Sequence, residues 1–408
     1  MRGLQRLGQV TPESNQTAWP RRMKNRERAR ARFGQLPERL VPYLERVDPG
    51  ADAAVAALAS RSAAEREAAI EAALTDGASM VPEIDALVAA ARAVPGWLDE
   101  ARLLRAHEVF LRAGMLGGIS LGLCSLVHGY AAPAGNKPLA FSGRLKERAD
   151  RRLAETGKFV TAVTEAHGLK PGALGWRSVL RVRLMHAQVR RLLLESGRWS
   201  FDDWSHPLNQ HDMLATILLF SCVFIDGIRR LGVHVTAQEA DDYQHLFRYV
   251  GELIGVEPAL LPTTHAEAMR LAEVIRLTQG APDEDSRELV RALIEGPLRA
   301  AGTADERKRA ERQVAVARGI SRGLIGDELA DALGLPRDRN RYLVTGIRVT
   351  LHGLEKLRRS IPRVNDFVQH LGSRYWDATV RRGLRGVPAR YELPQRLAAE
   401  LLNPTPMR

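Results

Sequence analysis

The sequence predicts an all-α fold built as a single large helical domain, and three observations carry that expectation. Ala, Leu and Arg dominate the 408 residues and aromatics make up only 5%, a balance that favours helices over sheets. Apolar residues recur at helical spacing along most of the chain, with no sustained strand alternation. No internal repeat occurs at the periods of solenoid proteins. With 45% hydrophobic residues the chain can bury a sizeable core.

In chain order, residues 1–35 read as a basic, flexible N-terminal tail, 36–385 as the helical domain and 386–408 as a C-terminal tail. Helical patterns run over 37–47, 51–74, 82–93 and 98–114. The stretch 115–130 is apolar and rich in glycine (Gly117, Gly118, Gly122, Gly129), so helices or ligands can approach its backbone closely. Residues 131–137 read as a loop and 145–165 as a helix. A helix over 177–198 precedes a loop at 203–209 and a buried helix at 212–231. Thr236 and Glu239 form a capping box that starts a helix over 237–254. Further helices are expected over 265–278, 285–301, 304–318, 320–332, 338–361 and 365–372.

The net charge is +12, yet arginines and acids are interleaved with no zinc module, aromatic RNA platform or DNA-reading motif. The reading is no nucleic acid. The dense cluster at 21–32 reads either as a solvated, frayed segment or as an electrostatic contact with an anionic membrane surface. Cys124 and Cys222 sit in separate apolar runs and read as buried thiols. The apolar runs 115–127 and 213–225 are too short to span a bilayer. No secretory signal is read near the N-terminus, so a cytoplasmic location is expected. The histidines show no HxxxH or HExxH spacing, which argues against a zinc enzyme.

The stretch SVLRVRLMHAQVRRLLL, 178–194, places a histidine inside an apolar stripe. Val179, Val182, Val189 and Leu193 share the face of His186 on a 3.6-residue helix, with Arg183 and Arg190 beside it. Two readings stand. One is a neutral histidine bonded to a carbonyl. The other is a metal or haem ligand, with Arg183 and Arg190 meeting haem propionates. In the helix before it, Thr156, Phe159, Val160 and Val163 form a stripe that Arg152 extends. An arginine aimed at a core needs an anion, either a distant acid or a bound one.

Arg152-Leu153-Ala154-Glu155-Thr156, followed 34 residues after Arg152 by His186, resembles the rubber oxygenase (latex-clearing protein) and MpaB-type oxygenase domain family. The block 206–262 strengthens the resemblance. It holds an Asn-Gln-x-Asp turn (Asn209, Gln210, Asp212), an apolar helix with Thr216, an Asp-Gly-x-Arg-Arg-Leu-Gly hinge from Asp226 to Gly232, and a Gly-x-x-x-Gly-Val ending at Val256. The likeness is close over 143–262 and looser in the flanks. It implies a globin-like core with one haem b (iron), His186 as the proximal ligand, and Arg152 and Thr156 as the catalytic pair near the haem. Arg183, Arg190 and Thr216 would be cofactor-binding. The implied activity is a haem-dependent oxygenase that cleaves a C=C bond of a small apolar substrate, isoprenoid or otherwise lipid-like, with dioxygen. A haem-binding sensor or carrier of the same fold is the alternative. Two departures bear on substrate. Where polyisoprene-cleaving members carry a lysine this chain has Glu155, and near their glutamate it has Gly135-Asn136-Lys137. Asn209, Gln210 and Asp212 read as helix-capping residues. Thr216 is expected to face the core, and His211 to be a solvated helix-start histidine.

Overall fold

The computed structural model describes residues 19–141, 145–384 and 391, and among them every regular element is helical. Capping explains where several helices begin. Asp48 accepts from the Ala51 amide at 3.2 Å and starts α2 (Pro49–Ala57; α1 is Arg26–Phe33). Ser62 and Glu65 form a capping box at the start of α3 (Ala63–Asp76). That second start divides the helix expected over 51–74 into two. Each such cap is worth about 1 kcal/mol. The box at Thr236 and Glu239 is present as expected.

After α4 (Pro82–Arg92) comes α5 (Glu100–Tyr130), the longest helical element, kinked at Gly114, whose backbone is non-helical (φ 44°, ψ −125°). The chain then forms α6 (Leu145–Thr164), α7 (Leu174–Glu195), α8 (Gln210–Arg230) and α9 (Ala237–Leu253). Next come α10 (His265–Thr278), α11 (Glu284–Ile294) and α12 (Ala304–Ile325). A closing hairpin pairs α13 (Leu343–Ser360) with α14 (Pro362–Leu384). The core is centred on α5, with α8, α9 and α14 packed around it, and α7 lies against α2 and α6. Phe224 of α8 stacks on Tyr243 of α9 at 5.0 Å, and Phe110 of α5 stacks on Trp376 of α14 at 4.4 Å. Such pairs add about 0.5–1.5 kcal/mol beyond burial.

Both α5 and α8 contain a π-helical turn, at Leu121–Ser125 and Leu219–Val223, and the two turns touch each other. Each holds a cysteine, and Cys124 and Cys222 are free and buried, as the sequence suggested. Burial pushes both thiols up to about 12. The apolar runs are longer as helices than as sequence. The α5 and α8 rods have 31 and 21 residues and reach a mean hydropathy of 1.6, long enough to cross a bilayer by length and composition. In the fold, 56% and 61% of their most apolar windows are buried against other helices. Met115, inside the first run, is exposed.

The N-terminal reading changes as well. Residues 19–35 are packed rather than a free tail. Arg22 is buried and donates to Asp212 at 2.6 and 2.9 Å and to the Trp204 carbonyl at 2.8 Å. Arg32 pairs with Glu273 at 2.8 Å, and α1 packs on α10. Residues 1–18 and, apart from Tyr391, the expected tail 386–408 lie outside the described residues. The Tyr391 hydroxyl donates to the Glu155 carbonyl at 3.1 Å.

Candidate functional site

α7 forms because its inward positions are apolar at helical spacing. Trp176, Val179, Val182 and Leu193 are all buried, each worth about 1.5–3 kcal/mol in apolar burial. Trp176 also donates its Nε1 proton to the Ala91 carbonyl at 3.2 Å, which pins the first turn of α7 to α4.

His186 lies on this stripe. Its Nδ1 is buried without a hydrogen-bond partner, and Nε2 has none among the described residues. Burial, reinforced by the Arg190 cation and opposed by Asp48, holds the ring pKa down at about 4. The imidazole is therefore neutral at neutral pH, with an unshared lone pair on one nitrogen. Buried polar groups almost always have partners. The carbonyl-bonded histidine, one of the two sequence readings, is not what the structure holds.

The two flanking arginines are committed elsewhere. Arg183 grips Asp48 through two bonds, Nε at 2.6 Å and a terminal nitrogen at 3.0 Å, and also donates to the Leu253 carbonyl at 3.3 Å. Arg190, only 3% exposed, grips Asp52 at 2.5 and 2.9 Å and donates to the Leu208 carbonyl at 3.1 Å. Arg183 and Arg190, expected to meet propionates, are each held here by a carboxylate at the start of α2. Asp48 and Asp52 lie one turn apart on α2, and the pairs clasp α7 on either side of His186. The sequence reading missed both acids. The one local signal was Asp48 directly before Pro49, a helix-start pattern.

Thr156 is half-buried on α6. The Arg152 side chain lies outside the described residues, so its partner is not on view. Glu155, at the family's lysine position, accepts from Arg151 at 3.0 Å. Asn136 is buried and donates to the Tyr130 carbonyl at 2.7 Å, while Lys137 pairs with Asp283 at 2.7 Å.

At the start of α8 the capping reading holds for Asn209, whereas Gln210 and Asp212 use their side chains to bind other segments. Asn209 accepts from the Asp212 amide at 2.9 Å, and Gln210 bridges the Gly255 carbonyl at 2.9 Å and the Glu257 amide at 2.8 Å. The nearby Arg22 cation and the His211 bond keep the Asp212 carboxyl well below its usual range against the cost of burial. Two other expectations are overturned. His211 is buried rather than solvated, with Nδ1 3.2 Å from Asp212 and Nε2 unpartnered. Thr216 is exposed rather than core-facing, and its hydroxyl donates to the Asp212 carbonyl at 2.9 Å, the back-bond of a threonine inside a helix. Among the described residues no group of three or more His, Cys, Asp or Glu is placed to hold a metal ion by side chains alone. A surface cleft lined by Leu98, Leu103, Val163, Leu169 and Tyr249 includes none of the predicted site residues.

Comparisons with known proteins agree with this geometry at the level of family and fold. Residues 105–354, more than half of the chain, match the family described as "ER-bound oxygenase mpaB/B'/Rubber oxygenase, catalytic domain". A rubber oxygenase of Streptomyces sp. (strain K30) is 26% identical over 176 residues, and the match spans 43% of this chain and 43% of the length of that relative. A solved structure titled "Structure of Latex Clearing Protein LCP in the closed state" superposes with a TM-score of 0.63 at 20% identity. It covers 82% of this chain and 90% of its own, a likeness of fold.

Proposed function

The chain belongs to the MpaB/rubber oxygenase catalytic-domain family, and from that premise we propose a haem b-dependent oxygenase that cleaves a C=C bond of an apolar, isoprenoid or other lipid-like substrate. The observation that carries the reading is His186, an unpartnered neutral imidazole in the core stripe of α7. A single histidine would suit an iron whose other ligands come from a macrocycle, and His186 would be the residue of α7 that holds it. Haem b, when bound, supplies the binding and activation of dioxygen. The protein's own contribution is positioning. The Asp48–Arg183 and Asp52–Arg190 clasps fix the rotation of α7 and so the aim of His186, and the Arg190 cation adds to burial in disfavouring its protonation. Thr156 and Arg152 are the residues proposed near the reacting centre, with the Arg152 guanidinium stabilising developing negative charge.

Glu155 in place of the lysine, and Lys137 held by Asp283, favour a substrate smaller than polyisoprene. A second reading, haem binding without turnover, rests on the same two positions, because neither supplies a free carboxylate base. The test is direct. The purified protein is expected to show a Soret band, and His186→Ala to lose it while keeping the helical circular dichroism of the parent. Full haem occupancy in His186→Ala would refute the ligand assignment. Incubation with terpenoid alkenes under oxygen should then give carbonyl products by mass spectrometry, whereas a haem-loaded protein that yields none supports the second reading.

A further inference from the structure

The α13–α14 hairpin leaves a stripe of large apolar side chains in the open. On α13 the inward face is Val344, Ile347, Leu351, Glu355 and Arg358. Beside it, Leu343, Leu354, Leu357 and Ile361 recur at helical spacing, and all four are exposed. Phe367 and Leu371 continue this exposure on α14, next to the turn. Leu354 is 57% exposed and Phe367 60%. A soluble surface seldom carries so many large apolar groups together without a use. The hairpin is firmly seated. Gly372 passes so close to α5 that an added Cβ would lie 1.7 Å from the Leu111 carbonyl oxygen, and Trp376 stacks on Phe110. The exposed stripe is therefore a property of the fold.

The charge around it is mostly positive, although Asp366 and Asp377 are also exposed on α14. Residues 343–384 contain eight Lys or Arg against three Asp or Glu. Arg348, Lys356 and Arg359 run along the other flank of α13, and Arg363 and Arg374 are exposed on α14. None of these five has an acidic partner among the described residues. An exposed apolar stripe with unpaired cations on the opposite flank of the same helix is the pattern of a helix that lies flat in the headgroup region of an anionic bilayer. A second copy of the chain fits poorly, because a two-fold contact through this face would set arginines against arginines.

We propose that the α13–α14 hairpin is a membrane-docking surface for anionic lipid, seated through Leu354, Leu357, Ile361, Phe367 and Leu371 and held by the surrounding arginines. The proposal stands independently of the oxygenase reading, and it places the contact away from the basic segment 21–32, whose Arg22 is buried against Asp212.

Sedimentation with vesicles tests it, using phosphatidylcholine alone and phosphatidylcholine mixed with phosphatidylglycerol. The full chain should bind the mixed vesicles, less at high salt, and leave the neutral ones in the supernatant. Leu354→Asp and Phe367→Asp should each weaken binding about tenfold, the value of one buried large apolar side chain. Val316→Asp, an exposed apolar position on α12, should bind as the parent does. Circular dichroism and light scattering on every variant check folding and mass. Equal binding to both vesicle types, or binding that persists in both aspartate variants and is lost in Arg21→Glu with Arg28→Glu, would overturn the proposal. A dimer that both aspartate variants dissociate would assign the face to a second copy instead and overturn it equally.

Discussion

Arginine plays opposite parts in two regions of this molecule. On α7, Arg183 and Arg190 point inward, and each is met by a carboxylate from α2 and by a backbone carbonyl. On the α13–α14 hairpin, Arg348, Arg359, Arg363 and Arg374 face solvent among exposed apolar side chains. Charge in the first region is cancelled within the fold and fixes one geometry. In the second it remains available to something outside. The difference lies entirely in what the tertiary structure brings opposite, and the arginines themselves do not announce it.

That contrast can be broken at the buried end first. Asp48→Ala removes the carboxylate from Arg183 and the cap from α2 together. Arg183 is half-buried, so leaving it unpaired costs about 3 kcal/mol, the lower end of the range for a buried pair. The expected result is a loss of that size in urea unfolding, and a loss under about 1 kcal/mol would mean that the clasp is solvated in solution.

A comparable effect should appear in pH dependence. The folded pKa of His186 is about 4, against an ordinary value of 6.5. Between these values the unfolded chain binds the extra proton, so stability is full above pH 6.5 and falls as pH drops towards 4. The shift corresponds to about 3 kcal/mol. In haem-free protein, His186→Leu should flatten the stability profile across that window by about this amount. Unchanged slopes in parent and variant would show that the ring is not desolvated.

The smallest effect belongs to the hairpin. Arg348→Ala should change unfolding free energy by less than about 0.5 kcal/mol, as for surface positions generally. A larger loss would mean that the hairpin arginines have partners in the fold and would blunt the comparison.

Much of the fold was legible because periodicity and caps are local. The 265–278 helix matches residue for residue, and the Thr236 box marks its helix correctly. The split at Ser62 was equally local and went unread. His186 could be placed on the core stripe from spacing alone, and its open valences, which spacing cannot show, came from the structure. The partners of Arg183 and Arg190 lie more than 130 residues earlier in the chain, beyond any window of sequence pattern. Thr216 and His211 exchanged places relative to expectation. Thr216 has the polarity to stand in water and does so. His211 is drawn under the surface by the Arg22–Asp212 pair, and that pair depends on a segment that reads as a tail.

The two π-turns in α5 and α8 have a consequence for how these helices are aimed. Each residue of an α-helix advances roughly 100° about the axis, and a π-turn accommodates one residue more than its α equivalent. The part of each rod beyond the turn is thus rotated by roughly a quarter turn from where an unbroken helix would point. Each rod is joined out of phase at its π-turn, so on α8 the face presented by Met213, Leu214 and Ile217 and the one presented by Phe224, Ile225 and Ile228 address different neighbours. Removing one residue from either turn would leave composition and hydropathy almost untouched while redirecting every side chain downstream of it.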